Sequence, residues 1–205
     1  MPPERNRRGR PRRTGATEAT RIEILKSAAC AFRRLGYHGA TVEQIASALK
    51  MKKGNLYYYF RNKENILFAC HEYSLDRVLT VLGEIERSAL APDRKLRQLF
   101  VTAVHIILDE LHGTALYLGL EALTPAHRKA IIARRDLFDH GVRRILAEGV
   151  RTGLFAPQAN AKLITFAMLG AVNWIPRWYD PEGASTSQEI AEAFADYLLQ
   201  GLRPL

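Results

Sequence analysis

Residues 41 to 67 read TVEQIASALKMKKGNLYYYFRNKENIL. Within this run, three adjacent tyrosines, Tyr57, Tyr58 and Tyr59, follow directly on a basic turn. Neighbouring helical residues point roughly 100° apart, so three consecutive tyrosines cannot all enter one core. At least one must face solvent beside lysine. Upstream, Thr41 with Gln44 three residues on has the spacing of a capping box and predicts a short helix through Leu49. Residues 50 to 54, KMKKG, form a tight basic turn, and Gly54 to Phe60 is the next helix. Leu56 and Phe60 are four apart and mark its inner face. Asn55 and Tyr58 lie on the opposite face, with Tyr57 beside them. Tyr59, next to Phe60, either shares the core or reaches a phosphate.

A first helix is predicted from near Thr17 to Gly36, striped by Ile22, Leu25, Ala29 and Phe32. Three helices, the last two joined by a short turn, make a helix-turn-helix. The second helix of that motif enters the DNA major groove N-terminus first. Lys53 then sits where an ammonium and free backbone N–H groups meet phosphate or guanine. Gly54 lets the backbone approach DNA closely. Asn55, Tyr57 and Tyr58 reach outward to read it.

The charge distribution agrees. The 205-residue chain carries 30 Lys/Arg and 21 Asp/Glu, a net +9. Residues 1 to 60 hold 13 Lys/Arg against 4 Asp/Glu; the remainder holds 17 of each. The whole excess lies in the first 60 residues. A basic segment on a neutral body is the pattern of a polyanion-binding module on a carrier. Residues 1 to 16 are Pro-, Arg- and Gly-rich without periodicity and read as a disordered arm. Its RGRPRR element, Arg8 to Arg13, is kept extended by Pro11. Arg8, Arg10 and Arg12 either enter an A·T minor groove in the manner of an AT-hook or attract phosphates unspecifically.

The remaining chain reads as helix after helix, with almost no strand pattern. Helices are predicted over Lys63–Leu90, Asp93–Leu111, Thr114–Leu123, Pro125–Thr152, Gln158–Trp178 and Ser187–Leu202. The expected class is all-α. Its parts are an arm over 1–16, a helix-turn-helix unit over 17–62, and a ligand-binding and dimerisation unit over 63–205. Cys30 and Cys70 show no pairing or metal spacing, which points to a reduced, cytoplasmic protein. The most apolar stretch, Leu163 to Ile175, is too short to span a bilayer.

In the C-terminal half, His105, Asp109 and His112 recur at i, i+4 and i+7 on one helix face. They can ligate a metal, but no further ligand completes a site, and a polar face lining a pocket is the preferred reading. Tyr117 and Glu121 line the same pocket. Gly170, Trp174 and Trp178 recur every four residues and fit a dimer seam.

The segment over roughly Thr17 to Leu67 resembles the DNA-binding domain of the TetR family of transcriptional repressors. The likeness lies in a helix ending Leu-Gly-Tyr, a Thr-capped short helix, then Gly-x-Leu-Tyr-x-x-Phe-x-x-Lys-Glu. That resemblance implies an all-α homodimer whose C-terminal domain binds a small molecule and whose paired N-terminal domains bind a palindromic operator. By motif position it makes Thr41 a phosphate contact and puts Lys53, Gly54, Asn55, Tyr57 and Tyr58 on the recognition helix. It also points Lys63 to phosphate. Tyr59 departs from the pattern, where histidine is more usual. The wording Asn173-Trp174 with Arg177-Trp178-Tyr179 is similar to TetR-type sensors of acyl-CoA thioesters. It implies Arg177 facing the CoA phosphates, with Trp174 or Trp178 as a stacking wall.

Two other classes compete with this reading. An effector-independent architectural DNA-binding protein would leave the neutral helical body without a task beyond dimerisation. An all-α enzyme lacks support: no nucleophile–base motif, Gly-rich phosphate loop or strong metal signature is present, and no cofactor is expected.

Overall fold

A computed structural model describes residues 14–110 and 120–204. Arg8, Arg10, Arg12, His112 and Tyr117 lie outside these described residues. The described chain is helical throughout, without strands, as the periodicities predict. Its helices are α1 (Thr14–Gly39), α2 (Val42–Ala48), α3 (Lys53–Tyr59), α4 (Lys63–Arg87), α5 (Pro92–His105), α6 (Pro125–Arg151), α7 (Ala161–Trp174) and α8 (Ser187–Gln200). A π turn over Ile106–Glu110 continues α5, and short 3-10 turns occupy Leu120–Ala122 and Ile175–Arg177.

Local chemistry sets most boundaries. The capping box at α2 forms as its spacing predicts: Gln44 N–H donates to Thr41 Oγ1 at 3.2 Å, and Thr41 N–H donates to Gln44 Oε1 at 2.9 Å. A second box, Thr186 with Glu189, opens α8. Thr124 caps α6, whose first residue is Pro125; proline at that position gives up a donor that has no intrahelical acceptor. Gly36 has φ 68°, where a side chain would be strained. The sequence places the end of α1 there, but one further turn runs to Gly39 beyond the kink. Helix α4 stops at Arg87, earlier than predicted, because Ser88 turns back to the Ile85 carbonyl. Pro92 begins the next helix rather than merely terminating the last.

Two cores result. Ile24, Leu25, Phe32, Ile45, Leu56 and Ile66 fill the first, which also takes in Leu123 and Ile131. The second gathers Leu82, Leu96, Phe100, Val142, Ile145, Phe155 and Ile190 around α5. Helices α4 and α6 run parallel. Glu64 pairs with His127, Asp76 with Arg134 and Glu86 with Arg144, so partner numbers rise together along both helices. Between the last two pairs, Gly141 makes room for Leu82: a Cβ there would stand 2.3 Å from Leu82 Cδ2. Cys70 is fully buried, its thiol donating to the Leu25 carbonyl at 3.7 Å, and burial pushes that thiol up to about 12. No described helix is long and apolar enough to cross a membrane.

Candidate nucleic-acid interface and effector cavity

Helix α3 is anchored by Leu56 and Phe60, both buried. That fixes the orientation of everything else on it. Lys53, Gly54, Asn55, Tyr57 and Tyr58 are all exposed, and Tyr58 is 80% exposed. Tyr59 is half-buried, packs against the first core, and meets Tyr58 edge-on with ring centroids 5.3 Å apart. The three tyrosines thus divide as helix geometry requires. Gly54 has nothing within 4 Å of where a Cβ would stand. Neither backbone strain nor packing demands glycine there, and its bareness matters only to something approaching from outside.

Two cations differ from the sequence-based expectation. Lys53 reaches solvent but is held by Glu43 of α2, which raises the lysine's pKa and lowers that of the carboxyl. Lys63 does not point outward to phosphate. Its Nζ donates to the carbonyls of Tyr37 at 2.7 Å and Ala40 at 2.8 Å, with His38 O at 3.4 Å, and lies 4.5 Å from the Tyr37 ring centroid. Those are the carbonyls that the end of α1 leaves without intrahelical donors, so an ammonium aimed at them ties α1 to the start of α4. The adjacent residue, Glu64, accepts from the Thr124 N–H at 3.0 Å and pairs with His127 at 2.7 Å; His127 stacks on Phe68 at 3.8 Å. Arg33 of α1 donates to the Tyr179 carbonyl at 3.2 Å. The N-terminal helices are therefore tied to the body at several points.

A cavity of about 140 Å³ lies in the body between α4, α5, α6 and α7. Leu75, Val78, Leu96, Leu99, Phe100, Ala103, Phe138, Val142, Met168 and Val172 make it strongly apolar. Its polar members are His71, Ser74, Arg135 and Asn173. His71 is 1% exposed, and its Nε2 has no hydrogen-bond partner. Burial, with the Arg135 charge beside it, lowers its pKa to about 3, so it is neutral at pH 7. Burial also lowers the pKa of Arg135.

Of the effector-contact residues predicted from sequence, Asn173 alone reaches this cavity among those described. His105 and Asp109 do bond each other, at 3.0 Å, but they face α8: His105 Nε2 meets Gln188 Oε1 at 2.6 Å, and Ser187 donates to Asp109 at 3.1 Å. They fasten the α5 end to the start of α8 instead of lining a pocket. Glu121 is exposed in the short turn before α6, away from the cavity. Trp174, Arg177 and Trp178 also lie outside it. Trp174 is 59% exposed with the Arg177 guanidinium 5.0 Å from its ring, while Trp178 stacks on Phe194 at 6.2 Å. The helix turn that carries Val172 and Asn173 to the cavity carries Trp174 past it. His71 and Arg135 were missed, although a signal existed. Each interrupts an apolar helical stripe, Leu67-His71-Val78 and Ile131-Arg135-Phe138-Val142.

Residues 24–70 match the family described as bacterial regulatory proteins, tetR family, and residues 89–202 match the tetracyclin repressor-like C-terminal domain. The chain belongs to the TetR family. The HTH-type transcriptional repressor KstR2 of Rhodococcus jostii (strain RHA1) is 28% identical over 192 residues, covering 92% of this chain and 94% of the relative. The TetR family regulator PfmR of Thermus thermophilus superposes with a TM-score of 0.78 at 31% identity, over 88% of this chain and 99% of that one. AibR in complex with isovaleryl coenzyme A and operator DNA gives 0.73 at 27% identity, over 87% and 98%.

As a TetR-family member, this chain is a DNA-binding transcriptional regulator, and the family binds operator DNA as dimers. Its relatives are transcriptional regulators. The family's dimeric habit bears on one surface. Leu163, Phe166 and Trp174 of α7 are large, apolar and exposed, Leu163 by 62%, and Gly170 between them has open space around it. They share one helix face at spacings of three and four. Among the described residues no metal-ligating cluster of three His, Cys, Asp or Glu is found.

Proposed function

We propose that α3 reads the operator through Asn55, Tyr57 and Tyr58 around the bare Gly54, and that an acyl-CoA thioester entering the body cavity releases the protein. Thr41 and Lys53 add phosphate contacts, Lys53 by exchanging Glu43 for the DNA backbone. The arm over 1–16 extends the contact beyond α3, and residues 17–62 and 63–205 act as the reading and sensing units. Two chains pair through the exposed α7 face and α8, which presents two recognition helices about one turn of DNA apart, roughly 34–36 Å.

The observation that carries the effector class is the cavity itself: apolar walls, few polar groups, and space for a compact acyl group. A cavity near 150 Å³ holds a benzene-sized molecule, so the acyl part is about that size. Asn173 is both exposed and in the cavity wall, which makes it the rim over which a CoA moiety would leave. The likeness to AibR, solved with isovaleryl coenzyme A and operator DNA, supports the class. Release requires the ligand to bind the non-DNA-binding conformer better, since equal affinity for both shifts nothing.

The test is fluorescence anisotropy on an operator selected from genomic fragments, titrated with acyl-CoAs of graded size. Short and ring-sized acyl-CoAs should release the DNA at micromolar concentrations. If none of the panel binds or alters the anisotropy, the effector class is wrong while DNA reading stands.

A further inference from the structure

Arg135 is a half-buried cation in an otherwise apolar wall. Asp139, one turn along α6, pairs through Oδ2 with Arg143 at 2.6 Å, and Asp76 of α4 pairs with Arg134. No hydrogen bond or ion pair joins Arg135 to another described residue, and burial alone perturbs it. Beside it, His71 is buried and neutral, with one ring nitrogen unpartnered. Ser74 stands one turn along α4 from His71 in the same wall. A buried imidazole nitrogen without a partner is costly to keep unless something completes it, and the half-buried Arg135 guanidinium beside it offers an anion a second point of attachment. A hydrocarbon chain would worsen their position by displacing any water they hold.

We propose that Arg135, His71 and Ser74 form a carboxylate subsite inside the cavity, so that the effector's acyl group carries a carboxylate at the end remote from the thioester. The proposal rests on the cavity being the effector site. A carboxylate matches Arg135 in charge and in the fork geometry of its N–H groups. His71, with its unpartnered nitrogen protonated, donates a further bond, and the Ser74 hydroxyl another. The apolar walls of α5 and α7 then enclose the carbon chain between this end and the Asn173 rim.

Two probes of equal chain length isolate the carboxylate: adipoyl-CoA, which has one, and hexanoyl-CoA, which does not. Free hexanoate is the third probe. Binding to the full chain is measured by calorimetry for wild type, Arg135→Met and Arg135→Lys, the lysine variant keeping the charge should the methionine variant not fold. Adipoyl-CoA is expected to bind wild type about 10- to 100-fold more tightly than hexanoyl-CoA, the scale of one buried charged partner. Arg135→Met should abolish that preference, and Arg135→Lys should reduce it. If the two thioesters bind equally, or if both Arg135 variants weaken them alike, the subsite is overturned while the acyl-CoA reading survives. If neither thioester binds but hexanoate does, in an Arg135-dependent way, the subsite survives and the acyl-CoA reading falls. Failure of all three probes overturns both.

Discussion

Replacing Lys63 with methionine separates two roles that DNA-binding lysines often share. The side-chain stem survives, but the ammonium that bridges Tyr37 O at 2.7 Å and Ala40 O at 2.8 Å is lost. Each bond from a charged donor contributes about 1.5–3 kcal/mol. The carbonyls are only partly buried and regain water in the variant, so the two do not add in full. Loss of the Tyr37 ring contact adds about 0.5–1 kcal/mol. The variant should therefore be destabilised by about 2–3 kcal/mol, a fall in Tm of roughly 5–10 °C for a chain of this size. Urea and thermal unfolding at fixed protomer concentration measure this, because a dimer's stability depends on concentration. In parallel, operator affinity is followed against salt. A lysine on phosphate contributes about 0.9 to the log–log slope, and the slope should not change here. Unaltered stability together with a slope shallower by about 0.9 would refute the capping role and restore the phosphate contact.

Gly54→Ala should leave stability unchanged or raise it by up to about 1 kcal/mol, since its Cβ meets nothing, while weakening operator binding in anisotropy; unchanged affinity would mean that DNA does not approach that turn. Leu163→Asp should yield a folded monomer by sedimentation, because the side chain is already exposed in the single chain and only a partner would bury it. His71, neutral when folded and with a pKa near 3 against 6.5 unfolded, binds fewer protons in the native state. Stability from this group is complete above pH 6.5 and declines as pH falls from there towards 3, by up to about 1.4 kcal/mol per unit. Urea titrations between pH 7 and 5 should show a shallower decline for His71→Leu than for wild type.

Helix α3 was legible because its signals are local. Thr41 and Gln44 cap across three residues, and Leu56 and Phe60 define an inside four residues apart, which leaves Asn55, Tyr57 and Tyr58 only one way to face. The cavity was not, because His71 and Arg135 are brought together by two helices far apart in sequence. Spacing put His105 and Asp109 on a common face, and they do meet, but spacing carries no information on which neighbour that face meets. The π turn at Ile106–Glu110 adds to this, since it shifts the phase of the face just where Asp109 stands. Lys63 was misread for a related reason. Its position beside a basic helix is visible in sequence, but the free carbonyls at the end of α1, more than twenty residues back, are not.

The three side-chain pairs between α4 and α6 have a mechanical consequence. A slide of one helix along the other would break Glu64–His127, Asp76–Arg134 and Glu86–Arg144 together, so the pair is stiff in shear and behaves as one beam. Lys63 fixes the end of α1 to one tip of that beam. From Glu86 to Lys63 the beam is about 35 Å long at 1.5 Å per residue, and the cavity wall at residues 71–78 presses on it near mid-span. Were the Glu86–Arg144 end the fulcrum, a displacement of about 1 Å at the cavity would become about 2 Å at the tip, by the ratio of the arms. With a two-fold axis between two such beams, the recognition helices would change separation by up to about 4 Å. Against a groove spacing of roughly 34–36 Å, that is enough to spoil simultaneous seating of both.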